Sequence, residues 1–200
     1  TPTMNTTPPA QPPRTLAAVA AENGLSLGAY LIVLALLSGL SAAFGPATLL
    51  VWAGSIGLPF FFYTLLRRNY AEAGFASSTV ELWAQSLMSF FLAAMLQAVA
   101  VYCALRFVAP DFISSQVDTA IAAFESTGTP EGDMWASSLR NIITETGLPT
   151  PVDVTANLIV FNIFCGAVIG LVDSIVLRAR YASADRRARY TESHRRDSNN

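Results

Sequence analysis

The sequence contains little charge and few of the residues that usually carry chemistry. Only 13% of its 200 residues are charged, lysine is absent, and His194 is the single histidine. A soluble domain of ordinary composition carries about 25% charged residues, so water is a poor match for this chain. The two cysteines, Cys103 and Cys165, form no C-x-x-C spacing or ligand cluster, which argues against a zinc or redox centre.

The motifs of common enzyme classes are absent as well. The chain has no HExxH, P-loop or dinucleotide-binding glycine motif. Ser26 stands in a G-x-S-x-G match, but a nucleophile elbow needs a strand before the serine, and this match opens an apolar helical run. We therefore expect a protein without catalytic residues, bound cofactor or metal ion.

What the chain has in abundance is apolar sequence, at 52% of its residues. Four runs are long enough to cross about 30 Å of hydrocarbon as helices. The predicted spans are residues 25–44, 47–66, 82–108 and 154–177. The fold class that follows is an all-α integral membrane four-helix bundle.

The flanking segments divide the chain further. Residues 1–13 form a polar, proline-rich head that we expect to be disordered, and residues 181–200 form a basic tail. Residues 14–180 make up the membrane domain. Its first part, RTLAAVAAENG, is predicted to be helical, either lying on the inner membrane surface or extending the first span inward.

The distribution of arginine sets the orientation of the four spans. The Arg67-Arg68 loop and the segment after Leu177 hold nine of the twelve arginines, whereas residues 109–153 carry seven acids and only Arg140. Basic residues stay on the cytoplasmic side of a membrane. The pattern predicts a bacterial inner-membrane protein with both termini in the cytoplasm and an acidic outer loop, and the basic tail is predicted to contact anionic lipids rather than nucleic acid.

The outer loop, residues 109–153, shows its own helical periodicity. Two apolar stripes are separated by STGTPEGD, a turn-rich break. The stripes consist of Ile113, Val117, Ala120, Ile121 and Phe124, followed by Trp135, Leu139, Ile142 and Ile143. We expect a helical hairpin whose stripes pack on the membrane surface or on the ends of the spans, with a partner or ligand surface as the alternative.

The fourth span carries small and polar residues along one side. Asn162, Gly166, Gly170 and Asp173 recur at steps of four, four and three, and the third span has a comparable stripe that includes Gln97. Such faces favour contact with a neighbouring helix over contact with lipid. Counting from the outer ends of the two spans puts Gln97 and Asn162 at one depth, which predicts a hydrogen bond between them.

Asp173 lies near the inner boundary, only five residues before Arg178. Because Arg67 and Arg68 end the second span at a similar level, the preferred interpretation is an anchoring ion pair. A proton or cation relay is the alternative, since an intramembrane acid is a functional candidate by default. The same depth count brings Glu81 and Arg178 together at the inner edge.

One stretch resembles a known family. RRNYAEAGFASSTVELWAQSLMSFFLAAMLQAVAVYCALRFVAPDFI is similar to bacterial membrane proteins catalogued as domain of unknown function four-one-nine-nine. The resemblance lies in the basic stop after the second span, the long third span ending in Pro110-Asp111-Phe112, and a fourth span ending in arginine, and it covers residues 25–180. It implies a four-span membrane protein and brings no activity or catalytic residue with it.

The function that these patterns favour is interaction or assembly in the inner membrane, with the lipid bilayer and another membrane protein or a second copy as partners. The rival interpretation is a small transporter or channel subunit that uses Gln97, Asn162 and Asp173 along a polar seam between the third and fourth spans.

Overall fold

The structure, a computed structural model, describes residues 15–41, 44–72 and 77–197, with side chains described up to residue 182 except that of Glu72. Throughout these ranges the regular structure is helical, and four helices are long and apolar enough to span a membrane. The prediction of an all-α protein with four helices able to span a membrane is confirmed. The predicted disordered head, residues 1–13, lies outside the described residues.

The membrane domain consists of four long helices. They are α1 (Leu16–Ser41), α2 (Pro46–Glu72), α3 (Thr79–Cys103, continued by a π-helical turn, Ala104–Val108) and α6 (Pro151–Asp197). α1 includes the segment before the first predicted span, so that segment extends the span rather than forming a separate helix. α6 continues without a break into the basic segment that the sequence sets apart as a tail.

α3 lies at the centre of the bundle, with α1 and α6 packed against it on two sides, while α2 packs mainly on α1. α1 and α3 run in the same direction, because Gly24 faces Leu92 and Gly28 faces Leu96. α6 runs opposite to α3, since Gly166 faces Phe90 and Arg178 reaches Thr79.

A hydrophobic core fills the space between the four helices. Its buried members come from every span and include Leu27, Phe62, Leu82, Phe90 and Leu177. Phe62 and Phe90 contact each other across the bundle, with ring centroids 4.8 Å apart. The outward side chains are also apolar, among them Leu49 at 74% and Phe164 at 68% exposure. A bundle that is apolar both inside and outside suits a lipid surrounding.

Two shorter helices, α4 (Phe112–Glu125) and α5 (Pro130–Thr146), connect α3 to α6 and pack against each other. The Thr129 hydroxyl accepts a hydrogen bond from the Gly132 amide and caps α5, which begins at Pro130. Arg140 of α5 forms a salt bridge with Glu125 of α4. Most contacts of these helices are with each other rather than with the spans, so they form a small unit at one end of the bundle.

Candidate functional site

Gln97 and Asn162 form a buried polar contact between α3 and α6. The Asn162 Nδ2 atom donates to Gln97 Oε1 at 2.8 Å, so the hydrogen bond predicted by residue counting is present. Gln97 Nε2 in turn donates to the Leu31 carbonyl of α1 at 3.2 Å. One glutamine therefore joins three helices, and this pair serves helix packing.

The two glycines of the α6 stripe let α6 approach α3 closely. A Cβ atom at Gly166 would overlap the Phe90 side chain, and one at Gly170 would come 2.5 Å from Ser86 Cβ. Gly24 and Gly28 play the same part between α1 and α3. The stripe on α6 was predicted from the sequence and the one on α1 was not, although the G-x-x-x-G spacing of Gly24 and Gly28 is typical of such faces.

Asp173 follows this stripe and faces the bundle interior, where it is 8% exposed. Its Oδ2 atom is buried and has no hydrogen-bond partner among the described residues. The prediction of an ion pair between Asp173 and Arg67 or Arg68 is wrong. The Arg67 Nε atom donates to the Tyr181 hydroxyl at 3.2 Å, and Arg68 pairs with Glu22 of α1 at 3.7 Å. Both guanidinium groups lie on the bundle surface, whereas Asp173 points inward.

The predicted meeting of Glu81 and Arg178 also does not occur. Arg178 Nη1 donates to the Thr79 hydroxyl at 3.0 Å. Glu81 instead caps its own helix, accepting from the Ser78 amide at 2.7 Å while its amide donates to Ser78 Oγ at 3.2 Å. The S-x-x-E spacing of residues 78–81 is the signature of such a capping box and predicts this role. The local cap satisfies the first amides of α3 and takes Glu81 away from Arg178.

Most of the four long helices and the whole of the α4–α5 pair lie within residues that match a known family. The family model described as "Protein of unknown function (DUF4199)" matches residues 22–179. The chain belongs to this family. No curated protein and no solved structure matches it.

The DUF4199 match also contains a second group of buried polar residues, which were not predicted from the sequence. Asn23 of α1 and Gln85 of α3 are 4% and 8% exposed, and their side-chain nitrogens are buried without a hydrogen-bond partner in the described part of the chain. The buried Asn69 Nδ2 and Tyr63 hydroxyl of α2 share this property. An amide inside an apolar run is the signal for such residues, but sequence does not tell which amides find partners.

Among the described residues of this DUF4199 domain, the buried polar side chains are amides, hydroxyls and the Asp173 carboxylate. No group of three or more His, Cys, Asp or Glu residues capable of holding a metal ion occurs among residues 15–41, 44–72 and 77–182. The Ser26 hydroxyl of the G-x-S-x-G match donates to the Glu22 carbonyl of its own helix at 3.2 Å. It thus lies on a helix, not on a strand-to-helix turn.

Proposed function

We propose that this chain is a non-catalytic interaction component of the bacterial inner membrane, and that the α4–α5 pair is its contact surface. The four spans would anchor this pair at the membrane, with both chain ends on the cytoplasmic side. The arginine distribution supports that orientation. The partner would be another membrane protein or a second copy of the chain.

The observation that carries the proposal is an uncovered apolar face on α5. Trp135 is 57% and Ile142 is 56% exposed, and the two lie seven residues apart on one side of the helix. A different side of α5, which includes Ala136, is the side buried against α4. An exposed Trp and Ile beyond what the fold needs mark a surface that another molecule covers.

The acidic residues around this face favour a protein partner with a positively charged surface. Glu131 lies four residues before Trp135 and Glu145 three residues after Ile142, so both carboxylates border the same side of α5. Anionic lipid headgroups would repel such a rim. A protein with an apolar patch bordered by arginine or lysine would complement it, because apolar centres and polar rims are the usual anatomy of an interface.

The helix-packing role of several buried polar side chains supports the non-catalytic part of this proposal. Gln97 accepts from Asn162 and donates to the Leu31 carbonyl. Trp83 Nε1 donates to the Ala167 carbonyl at 3.0 Å, and the Tyr30 hydroxyl to the Gly54 carbonyl at 2.6 Å. Side chains that form such bonds stabilise the contacts between the spans, and few of their polar atoms stay free for a reaction.

Site-specific photo-crosslinking tests the contact surface. A photoreactive amino acid at Trp135 or Ile142 should give a discrete cross-linked product in native membranes. The matched controls are Ser137 and Thr144, which have the same seven-residue spacing on an exposed face of α5 and bond only to their own helix. Equal cross-linking from both pairs, or none from Trp135 and Ile142, would contradict the proposal.

The rival function, transport along a seam of Gln97, Asn162 and Asp173, receives support only from the unpartnered Asp173 carboxylate. The other two residues are engaged in packing. Ion or proton flux into liposomes that is present in the wild type and lost in Asp173→Asn would favour this rival over an interaction role.

A further inference from the structure

The inner half of the bundle contains several polar groups that are buried but not hydrogen-bonded. Asp173, Gln85 and Asn23 come from α6, α3 and α1, and each is more than nine-tenths buried. Each has a buried side-chain atom without a partner among the described residues, as does Asn69 of α2. All four spans therefore contribute to this set, which we call the polar layer: Asn23, Asn69, Gln85 and Asp173.

The helix contacts place these residues at neighbouring depths. Gly24 faces Leu92 and the Ser89 carbonyl, so Asn23 lies near the level of Ser89 on α3. Gly170 faces Ser86, and Asp173 lies three residues, or ~4.5 Å of helix, farther inward, at the level of Trp83 and ~3 Å inward of Gln85. The layer on these three helices is thus about 9 Å thick. The salt bridge between Arg68 and Glu22 brings the adjacent Asn69 to the level of Asn23.

Fully buried apolar side chains border the layer on both sides. Leu82 and Leu177 lie towards the cytoplasmic end, whereas Leu66 and the Phe62–Phe90 pair lie towards the membrane centre. A carboxylate held between these apolar groups lacks the hydration that stabilises its charge. Burying the charge therefore costs a large free energy unless a cation or a proton accompanies it. Neither Arg67 nor Arg68 supplies that charge, because they contact Tyr181 and Glu22.

The side chains of the layer define the class of ligand. Amides can present their oxygen as readily as their nitrogen, so Asn23, Asn69 and Gln85 can each offer an oxygen beside the Asp173 carboxylate. One carboxylate with neutral oxygens balances a single positive charge. Divalent ions need more carboxylates or an open, hydrated octahedral site, and a transition metal would need nitrogen or sulfur ligands.

We propose that the polar layer of Asn23, Asn69, Gln85 and Asp173 is a binding site for a monovalent metal cation, Na⁺ or K⁺, in the arginine-bearing half of the bundle. Asp173 supplies the charge, and the three amides supply oxygens from the other helices. A cation in this position links all four spans, so its binding stabilises the assembled bundle over any state in which α2 or α6 has separated. The site is independent of the α5 face and of any partner there.

The test uses the purified full chain in lipid nanodiscs at constant ionic strength. Thermal unfolding is followed while choline chloride is replaced by NaCl or KCl, choline being too large for the layer. We expect a saturable rise in Tm of about 5–10 °C when the preferred cation reaches ~100 times its Kd. Asp173→Asn should abolish this response, and Asp118→Asn, which changes an exposed acid of α4 in the same way, should keep it.

Three results would overturn the proposal. The first is a wild-type Tm that does not respond to either cation. The second is an equal response in Asp173→Asn and wild type. The third is an Asp173→Asn variant with a higher Tm than the wild type and no response to either cation, which would mean that Asp173 carries a proton. If Asp173→Asn does not fold, binding of radiolabelled Na⁺ is measured for the wild type and for Gln85→Leu. We expect Gln85→Leu to weaken Na⁺ binding at least several-fold, and unchanged binding would count against the site.

Discussion

At the scale of single residues, buried amides hold this bundle together. Gln97 accepts from Asn162 of α6 and donates to the Leu31 carbonyl of α1, so its side chain uses both ends of the amide. In lipid, a bond of this kind contributes about 0.6–1.7 kcal/mol, a modest amount because the polar groups of separated helices also find other partners. Trp83 and Tyr30 add single bonds to backbone carbonyls of neighbouring spans.

Replacing Gln97 with leucine removes both bonds and should lower the free energy of unfolding by about 1–3 kcal/mol, with a Tm decrease of several degrees in detergent. The control is Gln116→Leu, the same change at an exposed position of α4. In a double-mutant cycle, Gln97→Leu and Asn162→Leu together should cost less than the sum of the two single changes. Strict additivity would show that the two amides do not interact.

Residue counting predicted the Gln97–Asn162 bond but failed for Asp173, and the reason is geometric. The constant rise of a helix fixes depth, so two amides at one depth on facing stripes can be paired from sequence. Direction around the helix and the choice of a competing partner are not fixed in that way. Arg67 had Tyr181 within reach, Arg68 had Glu22, and Glu81 had its own helix start.

At the scale of elements, glycines determine how close the helices lie. Gly166 leaves no room for a methyl group beside Phe90, whereas a Cβ atom at Gly39 would meet nothing within 4 Å. Gly166→Ala should therefore destabilise the protein by about 1–3 kcal/mol through overpacking against a ring. Gly39→Ala should be neutral or stabilising by up to ~1 kcal/mol, because alanine favours the helix.

Thermal unfolding of the two alanine variants side by side checks this prediction, since they make the same chemical change on helices of the same bundle. A further variant, Gly166→Ala with Phe90→Leu, should recover part of the loss by removing the ring. If Gly39→Ala destabilised the protein as much as Gly166→Ala, close packing of α6 on α3 would not be the reason for glycine at position 166.

The boundaries of the elements could be predicted to different degrees. The apolar runs located all four spans because lipid demands about 20 apolar residues in a row. They did not locate the ends of the helices. α1 begins at Leu16 and α6 continues to Asp197. Glu22 and Arg178 interrupt the apolar runs without ending the helices, because glutamate and arginine are good helix formers.

At the scale of the whole molecule, the spans form a bundle centred on α3, with α4 and α5 as a separate unit at one end. The core residues and the outward residues of the spans are both apolar, so hydrophobic burial in water does not explain the fold. Close packing at glycines and interhelical hydrogen bonds take its place. The surface of α5, with Trp135 and Ile142 exposed, is the contact surface that we propose for a partner.

The proposed four-span topology places α4–α5 on one side of the membrane and both chain ends on the other. Labelling of single cysteines from one side of the membrane tests this topology most directly. After Cys103 and Cys165 are replaced by alanine, Thr144→Cys in α5, Thr15→Cys before α1 and Ser183→Cys after the fourth span are treated in intact cells with an impermeant maleimide. The account predicts that only Thr144→Cys reacts until the membrane is permeabilised. Labelling of Thr144→Cys together with either terminal cysteine from the same side would contradict it.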